Sequence, residues 1–235
     1  MSRSKLLGAL FALPLLIAGA SSAQANIIGL TIDGSGSMST AEFNLQKQGY
    51  VTALTNLLNT DGSNAIGVWL FSSAVTPVFT LQTIDSAAKK TALINAINGM
   101  VQPATNTAIG QSIIDAMNAI TSFSGANCLA NSGKCLIDVS TDGVNNVGAT
   151  PQSATNTANA AGIKVNCLGI GPGADCSWNN AGLDFTSNNF AAFTAAITSK
   201  LTVELTPTPE PITMSLFGTG LIGAAALRRR KNKTT

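Results

Sequence analysis

The 235-residue chain contains no histidine, a single tyrosine and few charges, with only 10% of its residues Asp, Glu, Lys or Arg. Each scarcity excludes something. Without histidine there is no Ser-His or Cys-His pair to activate a nucleophile, and no imidazole to bind zinc. Arginine is confined to the ends, at Arg3 and Arg228-Arg229-Arg230, so residues 26–208 carry six lysines and no arginine. Against ten Asp and Glu in that stretch, the net charge is about −4, and the apparent basicity of the whole chain belongs to its ends. A domain with scattered lysines and that balance has no electrostatic footprint for nucleic acid. The roughly 180 residues between the ends suffice for one α/β domain with a substantial core.

Both ends read as addresses. Arg3 and Lys5 precede an apolar stretch from Leu6 to Ala20, and Ala23-Gln24-Ala25 follows. A positive start, a short apolar run and an Ala-x-Ala site predict a secretory signal peptide over residues 1–25, cut by signal peptidase after Ala25. At the other end, Thr206-Pro207-Thr208-Pro209-Glu210-Pro211 is a stiff, polar linker over 206–211. Ile212 to Leu227 then runs sixteen residues without a charge, and Arg228-Arg229-Arg230-Lys231 follows. As a helix that run reaches about 24 Å, marginal against a hydrocarbon core of about 30 Å. The basic cluster would stay cytoplasmic and leave the body outside. Pro209, Glu210 and Pro211, the apolar helix and the basic end closely resemble the PEP-CTERM sorting signal of Gram-negative bacteria. That resemblance implies handling of residues 212–235 by an exosortase-type membrane peptidase, only transient membrane contact, and delivery to the cell surface or the exopolysaccharide matrix. An ordinary single-span anchor is the alternative.

Four cysteines remain, Cys128, Cys135, Cys167 and Cys176. An even count in an exported chain predicts disulfides, with three possible connectivities. Local spacing favours Cys128 with Cys135 and Cys167 with Cys176, each pair closing a small loop beside a predicted strand. Zinc is the rival reading, disfavoured by the lack of histidine and of Cys-x-x-Cys spacing.

The most informative segment is Asp33-Gly34-Ser35-Gly36-Ser37, directly after the apolar run Ile27-Ile28-Gly29-Leu30-Thr31-Ile32. The run is short enough for a buried parallel strand, and the glycines then force a tight turn. Such a turn aims one carboxylate and two hydroxyls at a single point, and all three are the hard oxygen ligands that Mg²⁺ or Mn²⁺ prefers. Three oxygens do not fill an octahedron. Thr107, just before a helical pattern, and Asp142, just past a predicted strand, are the candidates for completing it.

Asp-x-Ser-x-Ser after the first strand, a distant Thr and a later Asp resemble the metal-ion-dependent adhesion site of von Willebrand factor type A domains. The first three ligands map onto Asp33, Ser35 and Ser37. The Thr falls in Asn106-Thr107-Ala108-Ile109-Gly110-Gln111-Ser112-Ile113, similar to the family's Gly-Thr-x-x-Gly-x-Ala-Leu with Asn and Ser as departures. Thr105 is a rival in the neighbouring register, but Gly110, three residues on, favours Thr107. The last Asp lies in Leu136-Ile137-Asp138-Val139-Ser140-Thr141-Asp142-Gly143, similar to the family's strand ending in Thr-Asp-Gly. Glu42 to Tyr50 and the Ile-Asp-Val-Ser string further resemble a bacterial, uncharacterised branch. The resemblance covers about residues 26–205 and implies a cation, Mg²⁺ or else Mn²⁺ or Ca²⁺, whose coordination an acidic group of a partner completes.

The elements agree with that resemblance. Strands are predicted at 27–33, 65–71, 75–84, 136–140, 164–170 and 183–186, with 75–84 an edge strand because it holds Pro77. Ser39 and Glu42 form a capping box for a helix reaching about Leu58. Further helices are predicted at 86–98, 108–123, 152–161 and 188–205. Strands alternating with helices give a doubly wound α/β fold: a mainly parallel sheet with one antiparallel edge strand and helices on both faces. Ligands of such sheets bind beyond the carboxyl ends of strands, where Asp33 and Asp142 fall. Asp138, inside a buried strand, is expected to be a hydrogen-bonded structural carboxylate, not a ligand.

Metal-dependent binding is therefore the favoured function. The alternatives are a structural matrix protein with a vestigial site, or a metal-assisted hydrolase using Asp33, Asp142 and a bound water. The partner is an unidentified protein or an acidic polysaccharide. The loop 171–180 leaves the same rim, and a Cys167–Cys176 bridge would pin it, presenting Trp178 as a contact residue beside the metal.

Overall fold

The computed structural model describes residues 25–130 and 134–206. The signal peptide predicted over residues 1–25, all but Ala25, and the sorting segment with Pro209, Glu210 and Pro211 lie outside them. Six strands form one sheet in the order β3-β2-β1-β4-β5-β6, where β1 is Asn26–Asp33, β2 Asn64–Phe71, β3 Val75–Thr83, β4 Cys135–Thr141, β5 Lys164–Ile170 and β6 Asp184–Ser187. All neighbours pair in parallel except β2 and β3, which are antiparallel. Pro77 sits on that edge strand, opposite Trp69, where its missing N–H interrupts no inner ladder.

β1, β2 and β4 are buried along their whole length, as strands covered on both faces must be. Alternate side chains of β1 serve the two faces. Ile28, Leu30 and Ile32 join a core with Phe43, Tyr50 and Leu54 of α1 (Thr40–Leu57), Leu93 and Ile97 of α2 (Ala87–Asn98), and Phe193, Ile197 and Leu201 of α5 (Phe193–Leu205). Ile27 faces the other way, into a core with Ile109, Ile113, Ala116 and Ile120 of α3 (Ile109–Ser122) and Ala154 and Ala158 of α4 (Pro151–Ala160). These helices on both faces make this a doubly wound α/β fold, as the resemblance to von Willebrand factor type A domains implies.

Boundaries fall within a residue or two of those expected, with one exception. The last helix begins later, because Asn189 accepts from Ala192 N at 3.0 Å and holds a 3-10 turn at Phe190–Ala192 before α5 starts. The capping box at Ser39 and Glu42 forms as predicted.

The strand order reverses direction between β1 and β4. Chains leaving neighbouring strands there wind to opposite sides and open a crevice at the carboxyl ends. Asp33 closes β1 and Asp142 follows β4, so both reach this switch point.

Candidate metal centre

Asp33 is wholly buried at the end of β1. Its Oδ1 accepts from the Ser35 amide at 2.8 Å and its Oδ2 from Thr141 Oγ1 at 2.6 Å, which fixes the carboxylate between the two strands. The turn beyond it places Ser35 Oγ 2.9 Å from Ser37 Oγ, and Ser37 Oγ donates to Asp142 Oδ1 at 2.5 Å. Four of the five residues singled out by the sequence thus form one chain of contacts. The fifth, Thr107, is buried before α3, and its Oγ1 lies 4.0 Å from where a Cβ on Gly143 would stand, with Ser37 Oγ 3.5 Å from the same point. Glycine at 143 keeps that volume open between the two hydroxyls.

Thr105 is spent elsewhere. Its hydroxyl lies 2.6 Å from Ser72 Oγ and accepts from the Ser73 amide at 3.1 Å, which fastens the 101–107 loop to the end of β2. That loop is clamped from a second side. Ala104 N donates to Gly34 O, Gly36 N to Thr105 O, and Gln102 Nε2 to both Ser35 O and Met38 O. A Cβ on Gly36 would stand 2.9 Å from Ala104 O, so the turn approaches this loop as closely as glycine allows.

The start of α3 has no side-chain cap of its own. Asn145 and Asn146, from the loop after Asp142, take that role: Asn145 Oδ1 accepts from Gly110 N at 3.2 Å and Asn146 Oδ1 from Thr107 N at 2.8 Å. They lock the Thr107 turn to the Asp142 loop. Sequence reading passed over them because asparagine in a loop carries no signal of a partner so far along the chain. Gly110 is required here, since a Cβ would stand 2.1 Å from Ala149 O.

Burial pushes the Asp33 carboxyl up to about 6, against the hydrogen bonds from Ser35 and Thr141, and nearby Asp142 adds to the rise. Burial raises Asp142 as well, opposed by Ser37. Two carboxylates close enough for one to raise the other form a site that favours a cation between them. Among the described residues, no three Asp, Glu, His or Cys side chains gather into a metal-binding group. The cluster instead combines two carboxylates with hydroxyls, all hard oxygens, and this donor set fits a small divalent cation.

Two expected features outside the cluster are now placed. Both disulfides form, Cys128–Cys135 and Cys167–Cys176. Trp178 departs from expectation: it is 6% exposed and packs in the α3–α4 side core, with Nε1 donating to Asp175 O at 2.6 Å. The indole pins its loop from inside and presents no contact surface.

Asp138 is the structural carboxylate expected, and its partner lies within a helix. It is wholly buried and paired with Lys200 of α5, which also reaches Val139 O. Glu204, one turn further along α5, accepts from Asn166 Nδ2 at 2.8 Å.

A family model described as "Protein of unknown function (DUF1194)" matches residues 26–209. The chain belongs to the DUF1194 family. A second model, the PEP-CTERM protein-sorting motif, matches residues 207–231 and marks an exported, cell-surface-associated protein. No curated protein matches the sequence. Among solved structures, proximal thread matrix protein 1 from the mussel byssus, in a form with a zinc-occupied MIDAS motif, superposes at TM-score 0.63 with 22% identity, over 77% of this chain and 48% of that one. A von Willebrand factor type A protein from Catenulispora acidiphila gives 0.62 and 16%, over 77% and 43%. The pilus adhesin SpaC from Lactobacillus rhamnosus GG gives 0.60 and 14%, over 77% and 30%. This DUF1194 chain therefore spans about half or less of each of these three structures, and at these identities the likeness is one of fold. Among the described residues no helix is long and apolar enough to cross a membrane.

Proposed function

We propose that this protein is an exported, metal-dependent adhesion module without enzymatic activity. Asp33, Ser35, Ser37, Thr107 and Asp142 would hold a divalent cation, Mg²⁺ first, with Mn²⁺ or Ca²⁺ as alternatives. The bound cation would supply an electrophilic point for an acidic group of a partner, either a protein or an acidic polysaccharide. The observation that carries this reading is the contact of Ser37 Oγ with both Asp142 Oδ1 and Ser35 Oγ, which gathers the ends of β1 and β4 into one oxygen cluster.

Each residue has a part that follows from its surroundings. Asp33 organises the turn, since both its oxygens already accept protein hydrogen bonds while retaining further lone pairs. Ser35, Ser37 and Thr107 are neutral ligands, so the cluster's two carboxylates at most balance a divalent cation, and a partner's carboxylate would complete its coordination. That economy favours capture of a carboxylate over retention of a buried, saturated ion. No histidine or free cysteine stands by to move a proton or attack, which supports binding over hydrolysis. The zinc-occupied motif of the byssal neighbour supports a cation at this rim of the fold.

The sorting motif supports delivery to the surface or extracellular matrix of a Gram-negative cell after signal peptidase and exosortase processing. The test is calorimetry of the exported form, residues 26–208, with Mg²⁺ and Mn²⁺. Wild type should take up one ion and Asp33→Ala none, with both folded by circular dichroism. Unchanged affinity in the variant would sink the assignment.

A further inference from the structure

Beside the oxygen cluster lies a depression of about 740 Å³ at the carboxyl ends of β5 and β6. Its size falls in the range of roughly 300–1,000 Å³ typical of small-ligand sites. The wall between the two is the 171–177 loop. A Cβ on Gly173 would stand 3.0 Å from Asp142 O, and Asp175 N donates to Gly143 O at 3.3 Å. The opposite surface of the same loop, at Pro172 and Cys176, lines the depression. The Cys167–Cys176 bridge and the buried Trp178 anchor hold this wall, so the depression stands at a fixed offset from Ser37 and Asp142.

The lining has a defined chemistry. Phe185, half-buried with Lys200 Nζ 5.9 Å from its ring centroid, and the disulfide supply apolar surface. Thr186 and Asn188, both exposed, supply donors and acceptors. Asp184 is the one charged residue among the described lining. An aromatic wall with hydroxyl and amide groups, and no lysine or arginine among the described lining residues, suits a neutral, polyhydroxylated ring, and Asp184 disfavours a second carboxylate.

We propose that this depression is a sugar subsite: it takes a neutral sugar unit of a polysaccharide whose neighbouring uronic carboxylate binds at the Ser37–Asp142 cluster. The inference rests on the metal-dependent reading above and narrows its partner. The preferred polymer alternates acidic and neutral sugars, because a polymer acidic at every unit would bring a carboxylate against Asp184.

The test uses the exported form with three probes in Mg²⁺ or in chelator: an oligosaccharide alternating glucuronate and N-acetylglucosamine, an oligogalacturonate, and an Asp-containing peptide. Wild type should bind the alternating oligomer at least tenfold more tightly than either other probe, and only with Mg²⁺. Thr186→Trp fills the depression from an exposed position and should lose that binding tenfold or more with Mg²⁺ affinity unchanged. Asn188→Trp serves as the second variant if Thr186→Trp fails to fold. Equal binding by the filled variants, no preference over oligogalacturonate, or tighter binding of the peptide would each overturn the subsite. Absence of Mg²⁺ uptake by wild type would instead overturn the metal reading beneath it, whereas Mg²⁺ uptake without sugar binding would overturn the subsite alone.

Discussion

Gln46 Nε2 donates to the main-chain carbonyl of Asp33 at 2.7 Å, while Gln46 Oε1 accepts from Ser140 Oγ at 3.4 Å, so one buried amide on α1 ties the end of β1 to β4. Tyr50, one turn along the same helix, donates to Ser140 at 3.1 Å and continues the link. The side chains that aim the oxygen cluster are thus held from below by a polar thread inside the apolar α1–α5 layer. Gln46→Leu keeps the volume but takes the side-chain donor from Asp33 O and the Gln46 acceptor from the Ser140 hydroxyl, which keeps only its bond from Tyr50. It should destabilise the fold by about 1–3 kcal/mol, measured by urea denaturation, and weaken Mg²⁺ uptake. A variant as stable as wild type would show that the thread is dispensable.

Ala104 is the one non-glycine among the described residues with a left-handed backbone, φ 54°, and it lies where the 101–107 loop meets the Asp33 turn. That conformation disfavours an L side chain by about 1–2 kcal/mol. Ala104→Gly relieves it, offset by about 0.4–1 kcal/mol of added freedom in the unfolded chain. The expected result is stability equal to wild type or higher by up to about 1.6 kcal/mol, where alanine-to-glycine changes ordinarily destabilise. Gly36→Ala should act the other way, because its new Cβ meets the main-chain oxygen of Ala104, which has nowhere to retreat. Thermal unfolding of the pair reads both signs.

Much of this was legible in the sequence because the signals are local. The run Ile27–Ile32 followed by Asp33-Gly34-Ser35-Gly36-Ser37 states a buried strand and a tight turn within a dozen residues. Ser39 and Glu42 are a complete cap signal in four. The parts missed depend on partners far along the chain. Asn145 and Asn146 act on Gly110 and Thr107, more than thirty residues away. Lys200 and Glu204 look like the solvent face of α5 by residue type, yet both are buried, one against Asp138 and the other against Asn166. Local pattern cannot show that a charged side chain has found a buried opposite.

Glu204, buried near Asp138 and Lys200, gives stability a pH dependence. Burial, with Asp138 nearby, pushes the Glu204 carboxyl from 4.5 up to about 8, against the pull of Lys200. The folded state therefore holds the proton more tightly than the unfolded chain. The contribution is full below about 4.5, where both states are protonated, and is lost as pH rises to about 8, because the unfolded chain ionises first. Glu204→Gln, which keeps an acceptor for Asn166, should flatten the fall in stability between those pH values. Chemical denaturation of both proteins from pH 4 to 9 measures it, and parallel curves would place the proton elsewhere.

Trp178 separates scaffold from contact surface. Its indole lies in the α3–α4 side core and its N–H reaches Asp175 O, three residues back, so the ring and the Cys167–Cys176 bridge hold the same loop from two points. Removing the ring opens a cavity: Trp178→Ala should cost about 3–5 kcal/mol. Trp178→Phe keeps most of the apolar volume and loses the hydrogen bond, at about 1 kcal/mol. Because Phe at this position still fills the core beneath the loop, Mg²⁺ uptake and partner capture by Trp178→Phe should match wild type once both are folded. Urea denaturation and calorimetry on the same preparations read the two effects apart. A Phe variant that remains stable but loses partner capture would mean that the indole turns outward on binding, against its buried place in this fold.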